Sequence, residues 1–467
     1  MEKQIQNPSE SDRDGFFRTY LVFQSSASAR TFLSYPFFIV FLCIHLVLDC
    51  SISFRSVPRI LKFLQPFLSF PIKIPHYTTI IRWVKRVGLG ILGAPVRIGE
   101  KWVGIIDSTI QVGCNKALVM LKVSLDTLKQ CVTLTFDKVQ FILLRLTSSC
   151  TGELVREELR QIFTKHGPPV EIVSDQGSDL QKGFKAIQSE CSCEILIMVD
   201  ITHLIANHMK KAYANDPVFG RLNELTNQTR QRIQQTRYSH LSPPRQRSKA
   251  RFQGLPDWSA WLSQMLHFVK AFLSGTYQGD PFPEEEIRSY FGWLLDYEQT
   301  IEAYAQEQQE LMTIQKILKT EQFTPEIYQQ VRMKLKELKT PGVEEALETY
   351  LEENYKYYLK SGNPTLFTSD ILESLFGKFK RVSSPNSSSE LNGLTLSMGC
   401  IGRDLNEEAI ETYFELTTTM DVQKWEQKHV GTTMLSKKKK WKESMKKNEV
   451  KDTLLIGQKT AEVLIET

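Results

Sequence analysis

Between Trp102 and Tyr213 the hydrophobic spacing of the chain keeps switching between the strand period and the helix period, and this succession restricts the fold more than any other part of the sequence. "WVGIIDSTIQVG", "ALVMLKVSLDTL" and "CVTLTFDKVQFILLRL" are β-branched or apolar runs separated by turn residues, which reads as an antiparallel meander. A helix follows. Thr151 is placed to cap it, Glu153 lies in its first turn, Leu154, Val155, Leu159, Ile162 and Phe163 share one face, and "HGPP" stops it. Two short apolar runs, "VEIVSD" and "EILIMVD", then bracket an amphipathic stretch from Asp179 to Ser189, and "ITHLIANHMKKAY" returns to helical spacing. The order β-β-β-α-β-α-β-α predicts an α/β domain on a mixed sheet.

At 467 residues the chain exceeds what one compact core accommodates, so this domain has company. Residues 1–30 are polar and serine-rich and read as a flexible leader. Residues 31–95 are helical in short pieces, and 96–214 hold the first part of the α/β domain. From 215 to 365 long Gln-, Glu- and Lys-rich patterns such as "YEQTIEAYAQEQQELMTIQKILK" form a helical insertion, which carries the basic loop "SPPRQRSKAR" and the pair Trp258 and Trp261. Residues 366–420 return to the α/β domain, and 421–467 form a basic tail whose "KKKKWKESMKK" either touches nucleic acid or is simply solvated.

The return begins with "SDILESLFGKFKR". Leu372, Leu375, Phe376 and Phe379 recur at the spacing of a single apolar helix face, with Ser369 or Asp370 as the cap. Glu373, Gly377, Lys380 and Arg381 fall on another face: a carboxylate, a gap without a side chain, then two cations. Such a face can admit a phosphate backbone.

Net charge is only +5, but its placement is uneven. From Arg55 to Lys101 the basic residues face a single acid, Glu100, an excess that suits an anionic polymer. Here "RSVPRILKFLQPFL" and "PHYTTIIRWVKRVGL" read as two helices around a short connection, the second ending at Gly88 and turning Thr78, Thr79, Arg82, Lys85 and Arg86 outward. That is a helix-turn-helix pattern, and equally the pattern of a plain helical hairpin with a basic surface. "FFIVFLCIHLVL" is too short for a membrane span, which needs roughly 20 apolar residues, and reads as a buried helix. The eight cysteines lie scattered without a CxxC pair; no disulfide framework or zinc site is expected, and a reducing cytoplasm fits.

Asp107 closes "VGIID" and Asp175 closes "VEIVSD", so each acid emerges at the end of a buried strand, where ligands of open α/β sheets collect. With Glu373 brought in by a packed helix, three carboxylates would converge. Mutual repulsion makes that arrangement sensible around hard divalent cations, and two magnesium ions held this way can activate an attacking oxygen and stabilise the leaving oxygen of a phosphodiester. Asp126, Asp137, Asp179 and Asp370 compete for these roles, Asp179 most seriously because it shares a loop with Asp175.

Taken in order, "IIDSTIQVG", "IVSDQGSDL", "VDITHLIANHMKK" and "ESLFGKFK" resemble the DDE transposases of bacterial insertion sequences, over roughly Arg55 to Met398. The resemblance implies a ribonuclease H-like catalytic domain with its last acid displaced beyond a helical insertion, and a metal-binding triad of Asp107, Asp175 and Glu373. It implies magnesium, with manganese able to substitute. "DITH", Asp200 to His203, resembles a D-x-x-H element in which His203 orients substrate; the same residues also read as a helix cap with a satisfied histidine.

Carried further, the resemblance implies binding to the terminal inverted repeats of a mobile element, hydrolysis at each end, and strand transfer into target DNA by the freed hydroxyl. Thr78, Thr79, Arg82, Lys85 and Arg86 would bind the repeat, Lys380 and Arg381 would touch phosphates, and Trp258 or Trp261 would stack on a flipped or hairpin base. Pairing of two ends implies a homodimer or larger assembly on DNA, with no membrane partner and a nucleoid location. Two other readings stay open: a catalytically silent DNA-binding regulator derived from such an enzyme, and a nuclease of the same fold that cuts without joining.

Overall fold

The structure, a computed structural model, describes residues 35–67, 72–95, 99–110, 116–175, 177–191, 193–245, 252–383, 391–432 and 436–445. The leader expected at 1–30 and the end of the basic tail lie outside them.

Five strands form the mixed sheet: β1 (Trp102–Ile110), β2 (Lys116–Ser124), β3 (Gln140–Thr147), β4 (Glu171–Ser174) and β5 (Leu196–Val199), in the spatial order β3-β2-β1-β4-β5. The first three pair antiparallel, and β4 and β5 run parallel to β1. These are the sheet order and connections of the ribonuclease H-like fold anticipated from the sequence.

The meander departs from expectation in two places. "SLDTL" does not prolong β2, because the Ser124 hydroxyl accepts the Thr127 amide and starts a short helix, α4 (Leu125–Gln130). β3 begins at Gln140 rather than Cys131, after a 3-10 turn at Phe136–Lys138, and the β2–β3 register runs only from Lys122 opposite Gln140.

Alternating side chains send the sheet's two faces into different cores. On one face Trp102, Ile106, Leu118, Met120 and Ile172 pack against Val155, Leu159 and Ile162 of α5 (Gly152–His166) and Leu180, Phe184 and Ile187 of α6 (Ser178–Cys191). On the other, Val103, Ile105, Val119, Leu121 and Val173 join a large core with α7 (Ile201–Tyr213), the helical insertion and the terminal helices. A disulfide joins Cys191 to Cys193, against the expectation from cysteine spacing.

The insertion comprises α8 (Pro217–Ile233), α9 (Leu255–Leu273), α10 (Glu284–Phe291), α11 (Glu298–Thr320), α12 (Pro325–Leu335) and α13 (Val343–Ser361). It returns the chain to the sheet at α14 (Asp370–Ser383), whose Leu372, Leu375, Phe376 and Phe379 are buried as their spacing demands. Trp258 is 1% exposed and gives its indole N–H to the Thr226 hydroxyl at 3.1 Å; Trp261 gives its own to the Leu241 carbonyl at 3.0 Å. Both rings are core elements of the insertion, so neither offers a face to a base.

Ahead of the sheet lie α1 (Phe37–Leu48), α2 (Ser56–Leu64) and α3 (Tyr77–Gly93). The apolar run "FFIVFLCIHLVL" is α1, with six of its residues buried. Among the described residues no helix is long and apolar enough to cross a membrane. Contrary to expectation, α3 does not stop at Gly88. A Cβ there would fall 2.0 Å from the Leu396 carbonyl oxygen, and one at Gly90 would fall 2.7 Å from the Tyr413 Cβ. Both glycines let the helix backbone sit directly on a buried 3-10 stretch, Gly393–Cys400, and on α15 (Glu407–Leu416). Together with α16 (Thr419–His429), these C-terminal elements cover much of the basic face of α3.

Candidate active site

The register of the parallel strands places the acids. Ile106 of β1 pairs with Ser174 of β4, and Ser174 with Val199 of β5, so Asp107, Asp175 and Asp200 occupy the next rung of three neighbouring strands. Against expectation, β1 runs on through Asp107 to Ile110, so Asp107 lies inside its strand, whereas Asp175 and Asp200 directly follow the last residues of β4 and β5.

Asp107 is pushed up to about 7, first by burial and next by the Asp175 carboxylate, with a smaller push from Glu373; the Ser108 amide and His203 oppose the rise. Asp107 therefore sits within electrostatic reach of both other acids. Asp175 accepts the Gly177 amide at 3.0 Å, an Asx-type turn that releases the chain toward α6. Glu373 lies in the first turn of α14 on its exposed face, and its Oε1 is 3.3 Å from His203 Nε2. His203 is raised to about 9, chiefly by that bond and, against burial, by the charges of Asp200, Glu373 and Asp175. Gln253, at the exit of the basic loop, brings its side-chain amide to 3.4 Å from the same nitrogen.

Three of the four rival acids stand elsewhere. Asp126 is exposed and pairs with Lys129, Asp370 pairs with Lys319 at 2.7 Å, and Asp137 sits exposed in the 3-10 turn before β3. Asp179, in the first turn of α6, acts with Asp175 to raise the Cys150 thiol, behind burial as the main cause.

The basic residues divide. On α14, Lys380 and Arg381 are exposed, and a Cβ built on Gly377 would meet no atom within 4 Å. On α3, Arg82 is exposed, Thr79 is half-buried, and Thr78 bonds His76 through its hydroxyl. Lys85 and Arg86 turn out to face protein rather than solvent: Lys85 binds Glu426 at 2.6 Å, and Arg86 donates to the Thr417 and Phe414 carbonyls at 2.6 and 2.7 Å and lies over the Phe414 ring. Their covering comes from the far end of the chain, which local sequence does not reveal.

The roles of two residues escaped the sequence reading, which took Ser369 only as a candidate helix cap. Ser369 is 2% exposed and donates its amide and hydroxyl to Asp200 Oδ2 at 2.6 and 3.0 Å. Glu171, fully buried on β4, accepts the Leu366 amide at 3.0 Å and is raised to about 8 by burial, against that amide. An acid inside the strand "VEIVSD" was the available signal.

All-oxygen donors suit a hard divalent cation; Asp107 is raised first by burial and next by the Asp175 charge, and such a cation would relieve the second. Among the described residues no three His, Cys, Asp or Glu side chains already stand as a ready metal cluster. Glu373 is turned to His203 instead.

Fold and site together define an α/β protein with acids gathered at the carboxyl edge of a ribonuclease H-like sheet. No family model and no curated protein matches the chain. Among solved structures it is similar to one titled the Drosophila P element transposase strand transfer complex, with a TM-score of 0.41 and 12% identity over 89% of this chain and 100% of that one. Also similar is the HTLV-2 integrase catalytic core domain in complex with magnesium. Its dimeric form has a TM-score of 0.16 and 16% identity over 27% of this chain and 83% of that one. The trimeric form gives 0.16 and 18% over 27% and 84%.

Proposed function

We propose that the protein is a transposase that cleaves DNA at the ends of a mobile element and transfers the freed strand to target DNA. The observation that carries this reading is the pairing of Ile106 with Ser174 on adjacent parallel strands, which sets Asp107 and Asp175 side by side one residue further on, with Glu373 on α14 bonded to His203 and acting on Asp107 through its charge. Asp107 and Asp175 would hold the divalent ions, two magnesium or manganese, and Glu373 would complete the set on leaving His203. When bound, such ions activate the attacking oxygen and stabilise the leaving oxygen of a phosphodiester.

The chain's own residues supply the rest. His203, bonded to Glu373, would orient a phosphate oxygen near the acids. Lys380 and Arg381 continue the Glu373 face, and the open gap at Gly377 lets a backbone approach between them. Thr78, Thr79 and Arg82 on α3 remain for the terminal repeat, whereas Lys85 and Arg86 serve the protein's own packing. Synapsis of two ends calls for at least a dimer on DNA.

Cleavage of a labelled DNA end by wild type and Glu373→Gln, with magnesium, manganese or EDTA, tests the proposal. Metal-dependent nicking by wild type alone supports it. Equal nicking by both removes Glu373 from the reaction, and binding without nicking by either turns the reading toward a silent regulator.

A further inference from the structure

We infer that Asp200 is a positioning residue, a buried clasp whose two carboxylate oxygens fix His203 and Glu373 relative to each other. The inference rests on the reading of Glu373 as the third acid.

The geometry is built from four hydrogen bonds to one side chain that is 1% exposed. Oδ1 accepts the Thr202 and His203 amides at 2.8 and 3.1 Å and so caps α7. Oδ2 accepts the Ser369 amide and hydroxyl at 2.6 and 3.0 Å. Ser369 in turn receives the Leu372 amide on its carbonyl at 2.8 Å, which makes it the anchor of the first turn of α14. A second bridge, from the Ile201 amide to the Phe367 carbonyl at 3.0 Å, ties the same two segments. The Asp200 amide donates to the Ser174 carbonyl at 2.9 Å, fixing the clasp to β4 directly before Asp175.

A helix cap needs only one oxygen, which an exposed serine supplies as well as an aspartate. Here the second oxygen is spent across the fold, on a segment 169 residues away in sequence. His203 follows the clasp by three residues on one helix and Glu373 follows Ser369 by four on the other. Their 3.3 Å separation is therefore set at Asp200. A buried carboxylate receiving four donors is also a rigid one, since losing any donor leaves charge or an amide unpaired.

Asp200→Ser separates the two jobs. A serine hydroxyl caps α7 but is too short to reach Ser369. Histidine labelled with 13C at Cε1 reports the pair, with His203 assigned through His203→Gln. Expected is a displacement of the His203 resonance in Asp200→Ser in the direction produced by Glu373→Gln. In the nicking assay kcat should fall by about 10- to 100-fold, the range for residues that orient ligands from behind, with KM little changed. Ser369→Ala, which removes only the 3.0 Å hydroxyl bond, should give a smaller displacement of the same sign and keeps the test decisive if Asp200→Ser does not fold. An unmoved His203 resonance in a folded variant overturns the clasp. So does a wild-type kcat in Asp200→Ser when Glu373→Gln is inactive. If wild type itself does not nick DNA, the functional reading fails and the resonance alone judges the clasp.

Discussion

His203 Nε2 lies 3.3 Å from Glu373 Oε1, although 170 residues, most of them the helical insertion, separate the two in sequence. The pair joins the helix that leaves β5 to the helix that re-enters the fold, at the edge where Asp107 and Asp175 emerge. Each acid of the proposed reaction therefore has its own supporting contact, and these contacts can be perturbed one at a time.

Asp107→Asn should abolish nicking while making the protein without metal more stable at alkaline pH. The Asp107 carboxyl rises from 3.8 to about 7 on folding, so the folded state keeps a proton that the unfolded chain releases. Stability is consequently lost as pH climbs between those values and levels off above. Melting curves should show the variant above wild type at pH 8 and level with it near pH 4. Magnesium should raise the wild-type Tm at pH 8 and leave that of Asp107→Asn unmoved.

Glu171→Gln isolates a buried acid on β4 that the proposed reaction does not use. Its pKa of about 8, against 4.5 in the unfolded chain, means that wild type loses stability across that window, by at most about 1.4 kcal/mol per pH unit. Urea unfolding at pH 5 and pH 8 should show the variant gaining on wild type at the higher pH. A constant difference would place the ionised form in the folded protein.

Trp258→Ala should cost folding stability, about 3 to 5 kcal/mol for a fully buried aromatic, because it leaves a cavity and strips the Thr226 hydroxyl of its donor. Hairpin DNA should bind the folded fraction of the variant as tightly as wild type. A selective loss of hairpin affinity with unchanged stability would return this ring to the nucleic acid.

Gly377→Ala sets stability against activity. The added Cβ meets nothing within 4 Å, so the substitution should stabilise α14 by about 0.5 to 1 kcal/mol. If DNA approaches through this gap, KM for the DNA end should rise several-fold in the more stable protein. A stabilised variant with wild-type kinetics would move the DNA path off this face.

Wherever the determining forces were local, the sequence was legible. The apolar run before Asp175 marked the end of its strand, although Asp107 proved to lie inside β1, which runs on to Ile110, and the apolar spacing of "ILESLFGKF" turned Glu373 outward from a buried face. Two errors came from local rules too: a serine cap ended β2 early, and a 3-10 turn delayed β3. Other features were illegible because their cause lies far along the chain. Gly88 looked like a helix terminator, whereas its missing side chain makes room for Leu396. Lys85 and Arg86 looked like a DNA-facing pair, and only the presence of Glu426, Phe414 and Thr417 turns them inward. Trp258 looked available until the insertion closed around it.

The seat of α3 also fixes an order of events during synthesis. Arg86 meets carbonyls of Phe414 and Thr417, which lie 328 and 331 residues further on, and the glycine side of the same helix rests on Leu396. A growing chain thus leaves the ribosome with a basic helix whose permanent covering has not yet been translated. Until residue 417 emerges, that helix presents two uncommitted cations and an open apolar flank, so the nascent protein should cling to polyanions and chaperones in a way the finished one does not.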